Sequence, residues 1–118
     1  MRFRGCFRAV RRADHALPAP QSRPALPASS GLDARIWRLA GPQPLLLVNA
    51  SRRSGGAVQR NRFRRRVRMA LLVLLREEKP AGSFVMWVRP ARGSSAGSLA
   101  YRDILDRLRL VLRRLGAP

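Results

Sequence analysis

The chain has 118 residues, of which 25 are basic and six are acidic, so its formal net charge is +19. Apolar residues make up 46% of the sequence, which excludes a disordered polycation and predicts a single domain over residues 1–118 with one modest core. So large a charge repels itself in a compact fold and indicates a polyanionic partner, with nucleic acid as the first candidate and an anionic membrane surface as the second.

Arginine supplies nearly all of the positive charge, and Lys79 is the only lysine. The guanidinium group binds phosphate with a planar fork and stacks on bases, which favours an RNA or DNA partner, although a high genomic GC content would also enrich arginine. The single cysteine, Cys6, excludes an intramolecular disulfide and a cysteine zinc cluster. No apolar run approaches a membrane span, and residues 1–20 lack the apolar core of a signal peptide, so we expect a soluble cytoplasmic protein.

The first predicted element is a short helix over residues 3–13, where Phe3, Phe7 and Val10 recur between arginines. Residues 17–31 contain four prolines and three serines and predict a loop, with room for one further strand in 17–33. Strands are then predicted over residues 34–40 and 45–51, the second as a short buried run.

A long helix is predicted from about residue 57 to residue 78, because apolar residues form one stripe at helical spacing: Phe63, Val67, Ala70, Leu71 and Leu74. The polar face of this helix carries Asn61, Arg62, Arg65 and Arg68, with Leu72 among them. A buried strand is predicted over residues 83–90. A last helix should follow Ser98 as N-cap, contain an Asp103–Arg107 pair and end at Gly116. The order of strand, helix and strand predicts a parallel crossover, for which the right-handed form is the default.

No group of polar side chains in the sequence predicts a protein active site. His15 is the single histidine and lies in an arginine-rich loop, where solvation is the simplest interpretation. Glu77 and Glu78 diverge on the long helix, so we expect them to offset nearby arginines. Asp103 and Asp106 have arginines within helical reach, which favours ion pairs over metal ligation. We therefore expect no catalytic residue, and no metal or other cofactor bound by the protein alone.

The segment SRRSGGAVQRNRFRRRVR, residues 51–68, contains eight arginines and no acidic residue. A solvated helix face is the ordinary interpretation of a charge run, but such faces usually mix both signs. Here the arginines coincide with the predicted start of a helix, whose free N–H groups already attract anions. The arrangement is locally unfavourable unless phosphates supply the counter-charge, so the segment predicts an anion-binding site.

This segment closely resembles the signature of the protein component of bacterial ribonuclease P, which contains Ser-Lys-Lys, a glycine, Ala-Val, the triplet Arg-Asn-Arg, Lys-Arg and a last arginine. In register with it stand Ser51, Arg52, Arg53, Gly55, Ala57, Val58, Arg60, Asn61, Arg62, Arg64, Arg65 and Arg68. Downstream, VMWVRP is similar to the family strand that ends in Ala-Arg-Pro, and LAYRDILDRLRLVLRRL is similar to its C-terminal helix.

The resemblance implies an α+β domain with a central sheet of about four strands packed by helices, and a left-handed βαβ crossover. The function it implies is that of an RNA-binding subunit of an endoribonuclease. Such a subunit assists a catalytic RNA in removing the 5′ leader from precursor tRNA. The implied partners are the ribonuclease P RNA and precursor tRNA, with no membrane and no small-molecule substrate. The chemistry then resides in the RNA, and Mg²⁺ is expected in the RNA-containing holoenzyme.

The resemblance also implies site residues. The RNA-binding set comprises Arg52, Arg53, Arg60, Asn61, Arg62, Arg64, Arg65 and Arg68. The family lines its leader cleft with aromatic residues, so the leader-binding set comprises Phe7, Arg11 at the place of a second aromatic, and Trp37 on a strand. Phe7 and Trp37 could each be core residues instead, and both alternatives stay open.

Two other classes of protein remain as alternatives. A structural RNA-binding protein, such as a ribosomal protein, fits the charge and size but not the ordered signature. A membrane-surface protein could use a basic amphipathic helix. Leu72 on the polar face is the one feature that favours it, and the separate strands speak against it.

Overall fold

The computed structural model describes residues 7–9, 24–41 and 43–116. This part of the chain forms an α+β fold, as predicted. The strands are β1 (Arg8–Ala9), β2 (Leu32–Arg38), β3 (Leu45–Val48) and β4 (Phe84–Pro90), and the helices are α1 (Ala57–Glu78) and α2 (Tyr101–Gly116). Two short 3-10 helices, Ala28–Ser30 and Arg52–Ser54, lie in the loops before β2 and before α1.

The strands belong to one mixed sheet with the order β1-β3-β4-β2. Strands β1 and β4 each run parallel to β3, whereas β2 runs antiparallel to β4. Helix α1 joins β3 to its parallel neighbour β4, so the parallel crossover and the four-stranded sheet are confirmed. Because parallel strands end at the same edge of a sheet, the loops that follow β3 and β4 lie next to each other.

The two faces of the sheet have different surroundings, because side chains alternate along each strand. In β4, Phe84, Met86 and Val88 point into the core that the sheet forms with α1 and α2. The residues between them point to the opposite face. We call this the distal face; it comprises Asp33, Arg35 and Trp37 of β2, paired in register with Arg89, Trp87 and Val85 of β4.

Helix α1 is anchored by its predicted apolar stripe, of which Phe63 is 1% exposed and Val67 and Leu71 are fully buried. The placement of Leu72 on an exposed polar face is wrong. Leu72 is fully buried in the same core as Ile104 and Leu108 of α2, because α2 packs against the C-terminal half of α1. The feature that favoured a membrane-surface protein is therefore part of the core. Within the described residues, no helix has the length and apolarity needed to cross a membrane.

Three details of the predicted elements need correction. The predicted helix over residues 3–13 is wrong at Arg8 and Ala9, which form a strand along β3 instead. The Arg8 amide donates to the Pro44 carbonyl at 2.8 Å. The other residues of that segment, except Phe7, lie outside the described residues. Strand β2 begins two residues before its predicted start and ends two residues before its predicted end. Strand β3 ends at Val48, three residues before its predicted end.

The third difference is that Ser98 is not the N-cap of α2. This helix begins at Tyr101, and the first backbone bond runs from the Ile104 amide to the Ala100 carbonyl. The Ser98 hydroxyl donates to the Ser95 carbonyl at 2.7 Å, so it closes a local turn instead of capping the helix. Helix α1, by contrast, ends as expected at Glu78, because Lys79 adopts the left-handed conformation and Pro80 follows.

Candidate nucleic-acid interface

Hydrogen bonds fix the loop between β3 and α1. Ser54 is 7% exposed, and its hydroxyl donates to the Ser51 carbonyl at 2.6 Å. The Ser54 carbonyl accepts from the Ala96 amide at 2.7 Å, which ties this loop to the one that follows β4. The two loops at the carboxyl edge of the sheet therefore form one unit.

Gly55 permits the sharp entry into α1. Its φ angle is +151°, and a Cβ atom built there would lie 2.3 Å from Gln59 Oε1. The helix begins after Gly56 with no side-chain cap, and its first backbone bond runs from the Arg60 amide to the Gly56 carbonyl. The first N–H groups of α1 thus remain directed out of the helix end, where they attract anions.

All eight predicted RNA-binding residues lie on this loop and on the first half of α1. We call them the basic surface: Arg52, Arg53, Arg60, Asn61, Arg62, Arg64, Arg65 and Arg68. Most of these side chains are exposed, while Arg60, Arg64 and Arg68 are half-buried. Residues three or four apart share one side of a helix, so Asn61, Arg65 and Arg68 form one row and Arg60 and Arg64 another.

Arg64 and Arg66 hold the helix against its surroundings. Arg64 donates to Asn61 Oδ1 at 3.3 Å and lies 3.5 Å from the Ala50 carbonyl oxygen, at the end of β3. Arg66, which the sequence did not assign to a site, donates to the Leu99 carbonyl at 2.8 Å. Arg66 therefore joins α1 to the loop before α2, while its neighbours remain directed outward.

No described acidic residue forms an ion pair with the basic surface. Asp33 pairs with Arg35 and Arg89 on the distal face. The other ion pairs lie on α2 or between α1 and α2: Glu77–Arg109 at 3.1 Å, Glu78–Arg113 at 2.7 Å, Asp103–Arg107 at 3.7 Å and Asp106–Arg109 at 3.3 Å. The predicted roles of Glu77, Glu78 and Asp103 as partners of arginines are confirmed. The charge of the basic surface is thus left for a partner outside the described chain.

A cleft of about 900 Å³ lies at the carboxyl edge, between the loops that follow β3 and β4. Among the described residues, its lining includes three arginines, Arg53, Arg89 and Arg92, together with Asn49, Ser51 and Ser94, and no acidic residue. This cleft is not predicted from the sequence, because Arg89 falls at a strand end and Arg92 falls in a loop. The predicted parallel crossover could have indicated the cleft, because the carboxyl ends of neighbouring parallel strands commonly form a binding crevice.

Two of the three predicted leader-binding residues, Phe7 and Trp37, lie on opposite faces of the sheet. Phe7 is 3% exposed and belongs to the core on the helix side of the sheet, which favours the core alternative for this residue. Trp37 is half-buried on the distal face, so it points away from Phe7. Arg11 lies outside the described residues. Leader binding by these residues stays a prediction.

No group of three histidine, cysteine, aspartate or glutamate side chains comes together in residues 7–9, 24–41 and 43–116. Every acidic residue in that part of the chain is already bound to an arginine.

Comparison with known proteins identifies the family. No curated protein matches the chain. The family model described as Ribonuclease P matches residues 26–116, which include the basic surface, both helices and strands β2, β3 and β4. This match covers most of the chain and agrees with the four-stranded mixed sheet. The chain therefore belongs to the ribonuclease P family, which supports a function in tRNA processing within a ribonucleoprotein.

Proposed function

We propose that this chain is the protein subunit of ribonuclease P and that its basic surface binds the catalytic RNA. The observation that carries the proposal is the uncompensated charge of that surface: arginines crowd the uncapped start of α1, and every described acidic side chain pairs elsewhere. Such a surface repels itself in the free protein and is relieved by phosphates. A folded RNA supplies phosphates at close spacing on several sides of a helix.

The basic surface is also shaped for RNA rather than for a flat membrane. Arginines point outward from two rows of α1 and from the loop before it, and Arg53 continues into the cleft at the carboxyl edge. Apart from the exposed Val58, the large apolar residues of α1 pack towards the sheet and α2, so no continuous apolar stripe accompanies the arginines. A helix that lies on a membrane needs such an apolar face.

The protein contributes binding and orientation, and the hydrolysis belongs to the RNA. In the proposed holoenzyme, the catalytic RNA with its metal ions would supply the chemistry of hydrolysis. The basic surface neutralises RNA phosphates that would otherwise repel each other in the folded catalytic RNA. The distal face, with Trp37, receives the leader of precursor tRNA, and Arg11 is proposed to contribute to the same site.

The test is reconstitution of the full chain with a bacterial ribonuclease P RNA and precursor tRNA at low magnesium. The expected result is faster removal of the 5′ leader than the RNA achieves alone. The experiment compares two double variants, each of which removes two positive charges. Arg62→Ala with Arg65→Ala should lose the stimulation, whereas Arg109→Ala with Arg113→Ala, which alters paired arginines of α2, should retain it.

Other outcomes would identify another class of protein. Tight RNA binding without faster maturation would indicate a structural RNA-binding protein. Binding to anionic vesicles without any effect on RNA would indicate a membrane-surface protein. Equal loss in both double variants would show that total charge, and not the basic surface, determines RNA binding.

A further inference from the structure

The loop between β4 and α2, residues 91–100, packs against the start of α1, and we call it the connecting loop. Its Ala96 is fully buried, and the Ala96 amide donates to the Ser54 carbonyl at 2.7 Å. A Cβ atom built at Gly97 would lie 3.5 Å from side-chain carbons of Gln59, which belongs to the first turn of α1. The backbone of the connecting loop therefore runs close beside the beginning of that helix.

The connecting loop is also fixed to the sheet, independently of α1. The Ala91 amide donates to the Gly31 carbonyl, just before β2, at 3.0 Å. Leu99 is 8% exposed, and its side chain lies 3.6 Å from the position that a Cβ atom would take at Gly31. The loop can thus serve as a support for α1, because both of its ends are held by the rest of the fold.

Arg66 attaches α1 to this support at a second point. Its side chain is half-buried, and Nη1 donates to the Leu99 carbonyl at 2.8 Å. Arg66 lies more than two turns after Ala57, roughly 13 Å along the helix axis at about 1.5 Å per residue. Together with the bond at Ser54, the bond of Arg66 fixes the direction of the helix axis as well as the place where the helix begins.

The first half of α1 needs such support, because its own sequence does little to stabilise it. The helix starts with no side-chain cap and with no acidic residue in its first turn. Arginines four residues apart, such as Arg60 and Arg64, repel each other along one side of the helix. Phe63 and Val67 hold another side against the core. The contacts with the connecting loop therefore complete the attachment of a helix start that tends to unwind.

We propose that Arg66 is a positioning residue for RNA binding: it holds α1 on the connecting loop, so that the basic surface meets the RNA in one fixed arrangement. Arg66 is not itself a ligand of the RNA, since its guanidinium is already engaged with the Leu99 carbonyl. The proposal rests on the proposed function and deepens it. A preformed surface binds more tightly than a fluctuating one, because less conformational entropy is lost on binding.

The test compares two matched variants, each of which replaces one half-buried arginine that connects α1 to a later part of the chain. Arg66→Met removes the bond to the connecting loop, and Arg109→Met removes the ion pair with Glu77 at the other end of α1. In the free protein, hydrogen exchange of the amides of residues 60–64 should be about tenfold faster in Arg66→Met only. Binding to a bacterial ribonuclease P RNA should weaken about tenfold in Arg66→Met and stay close to wild type in Arg109→Met.

The salt dependence of RNA binding separates positioning from direct contact. Loss of one phosphate ligand makes the slope of log affinity against log salt shallower by about 0.7 to 0.9. Arg66→Met should keep the slope of the wild type, because it removes no phosphate contact. Arg66→Lys keeps the charge and a donor, and the Leu99 carbonyl uses a single N–H group. This variant should therefore regain slow hydrogen exchange in residues 60–64 and RNA affinity together.

Three results would overturn the proposal. The first is a shallower slope in Arg66→Met with unchanged hydrogen exchange, which would make Arg66 a ligand of the RNA. The second is unchanged RNA affinity in Arg66→Met. The third is recovery of affinity without slow exchange in Arg66→Lys, which would indicate charge alone. A wild-type chain that neither binds ribonuclease P RNA nor stimulates it would remove the proposed function instead, and the exchange comparison would still show whether Arg66 holds α1.

Discussion

The two ends of helix α1 differ in the ion pairs that surround them. In the first half, the basic surface has no acidic partner among the described residues, and the helix end has no side-chain cap. In the second half, Glu77 and Glu78 bind Arg109 and Arg113 of α2. Arginines at the two ends of α1 therefore differ in their ionic neighbours: those of the basic surface have no described acidic partner, whereas Arg109 and Arg113 of α2 are paired with glutamates of α1.

The net charge of the chain does not by itself locate a binding site. A total of +19 is spread over the whole chain. Three of the five arginines of α2, namely Arg107, Arg109 and Arg113, form ion pairs, which contribute little to stability but lower the field of that surface. The arginines of residues 52–68 have no ion pair with any described acidic residue, so their field is not offset in this way. A binding site is thus located by missing counter-charges rather than by the number of positive charges.

The largest effect is expected from the residue that anchors the basic half of α1. Phe63 is 1% exposed beneath the basic surface, so Phe63→Ala should lower the free energy of unfolding by about 3–5 kcal/mol. Chemical denaturation measures this change. The salt dependence of RNA binding should stay as in the wild type where the variant is folded. A loss of RNA affinity with unchanged stability would show that Phe63 contacts RNA and is not part of the core.

The next effect tests the contrast between unpaired and paired arginines. If about five phosphates are neutralised, log affinity should fall with log salt at a slope of roughly −3.5 to −4.5. Arg62→Ala with Arg65→Ala should make this slope shallower by about one unit or more and lower RNA affinity by at least about tenfold.

The matched control for that experiment removes the same charge from the other end of the molecule. Arg109→Ala with Arg113→Ala should leave the slope almost unchanged. Filter binding or fluorescence anisotropy over a range of salt concentrations measures both doubles. Similar salt-dependence slopes for the two double variants would contradict the distinction between unpaired and paired arginines.

A smaller effect is expected from the backbone at the entry to the basic half. Gly55→Ala forces a side chain into a left-handed conformation and against Gln59, so stability should fall by about 1–3 kcal/mol. Gly56→Ala is the control, because a Cβ there meets no atom within 4 Å and the φ angle is negative. Thermal melting measures both variants. Equal melting temperatures would mean that the loop tolerates a different entry into the helix.

The smallest effect is expected at the C-terminal end of α1, where the glutamates are paired with arginines, because we expect no catalytic side chain in the protein. Alanine at His15, Glu77 and Glu78 should leave leader removal close to wild type in the reconstituted enzyme. Stability should fall only by about 1 kcal/mol or less per lost ion pair, because these pairs are partly exposed to solvent. Single-turnover cleavage measures the first quantity. A hundredfold loss with intact RNA affinity would reveal an active site in the protein.

The local pattern of the sequence was enough to locate most elements. The apolar stripe predicted α1 from residue 57 to residue 78, and the structure has the same bounds. The strand, helix, strand order predicted the parallel crossover, and the concentration of arginine predicted the basic surface. Each of these follows from neighbours in sequence, since helical periodicity and charge density are local properties.

Contacts between distant segments decided the remainder. Leu72 falls on the polar side of α1 by periodicity, and only the packing of α2 buries it. Arg8 and Ala9 match a helical pattern but extend because the edge of β3 offers hydrogen bonds. The cleft needs two loops that are more than thirty residues apart in sequence, brought together by the parallel strands.

The distal face shows the same division most clearly. The sequence determined that Trp37 and Trp87 lie on strands, but alternation within one strand assigns faces only relative to each other. The register between β2 and β4 decided that both tryptophans share a face with Asp33, Arg35 and Arg89. Strand pairing is non-local: it depends on how the whole core packs, so no local pattern could predict which side chains would meet across the sheet.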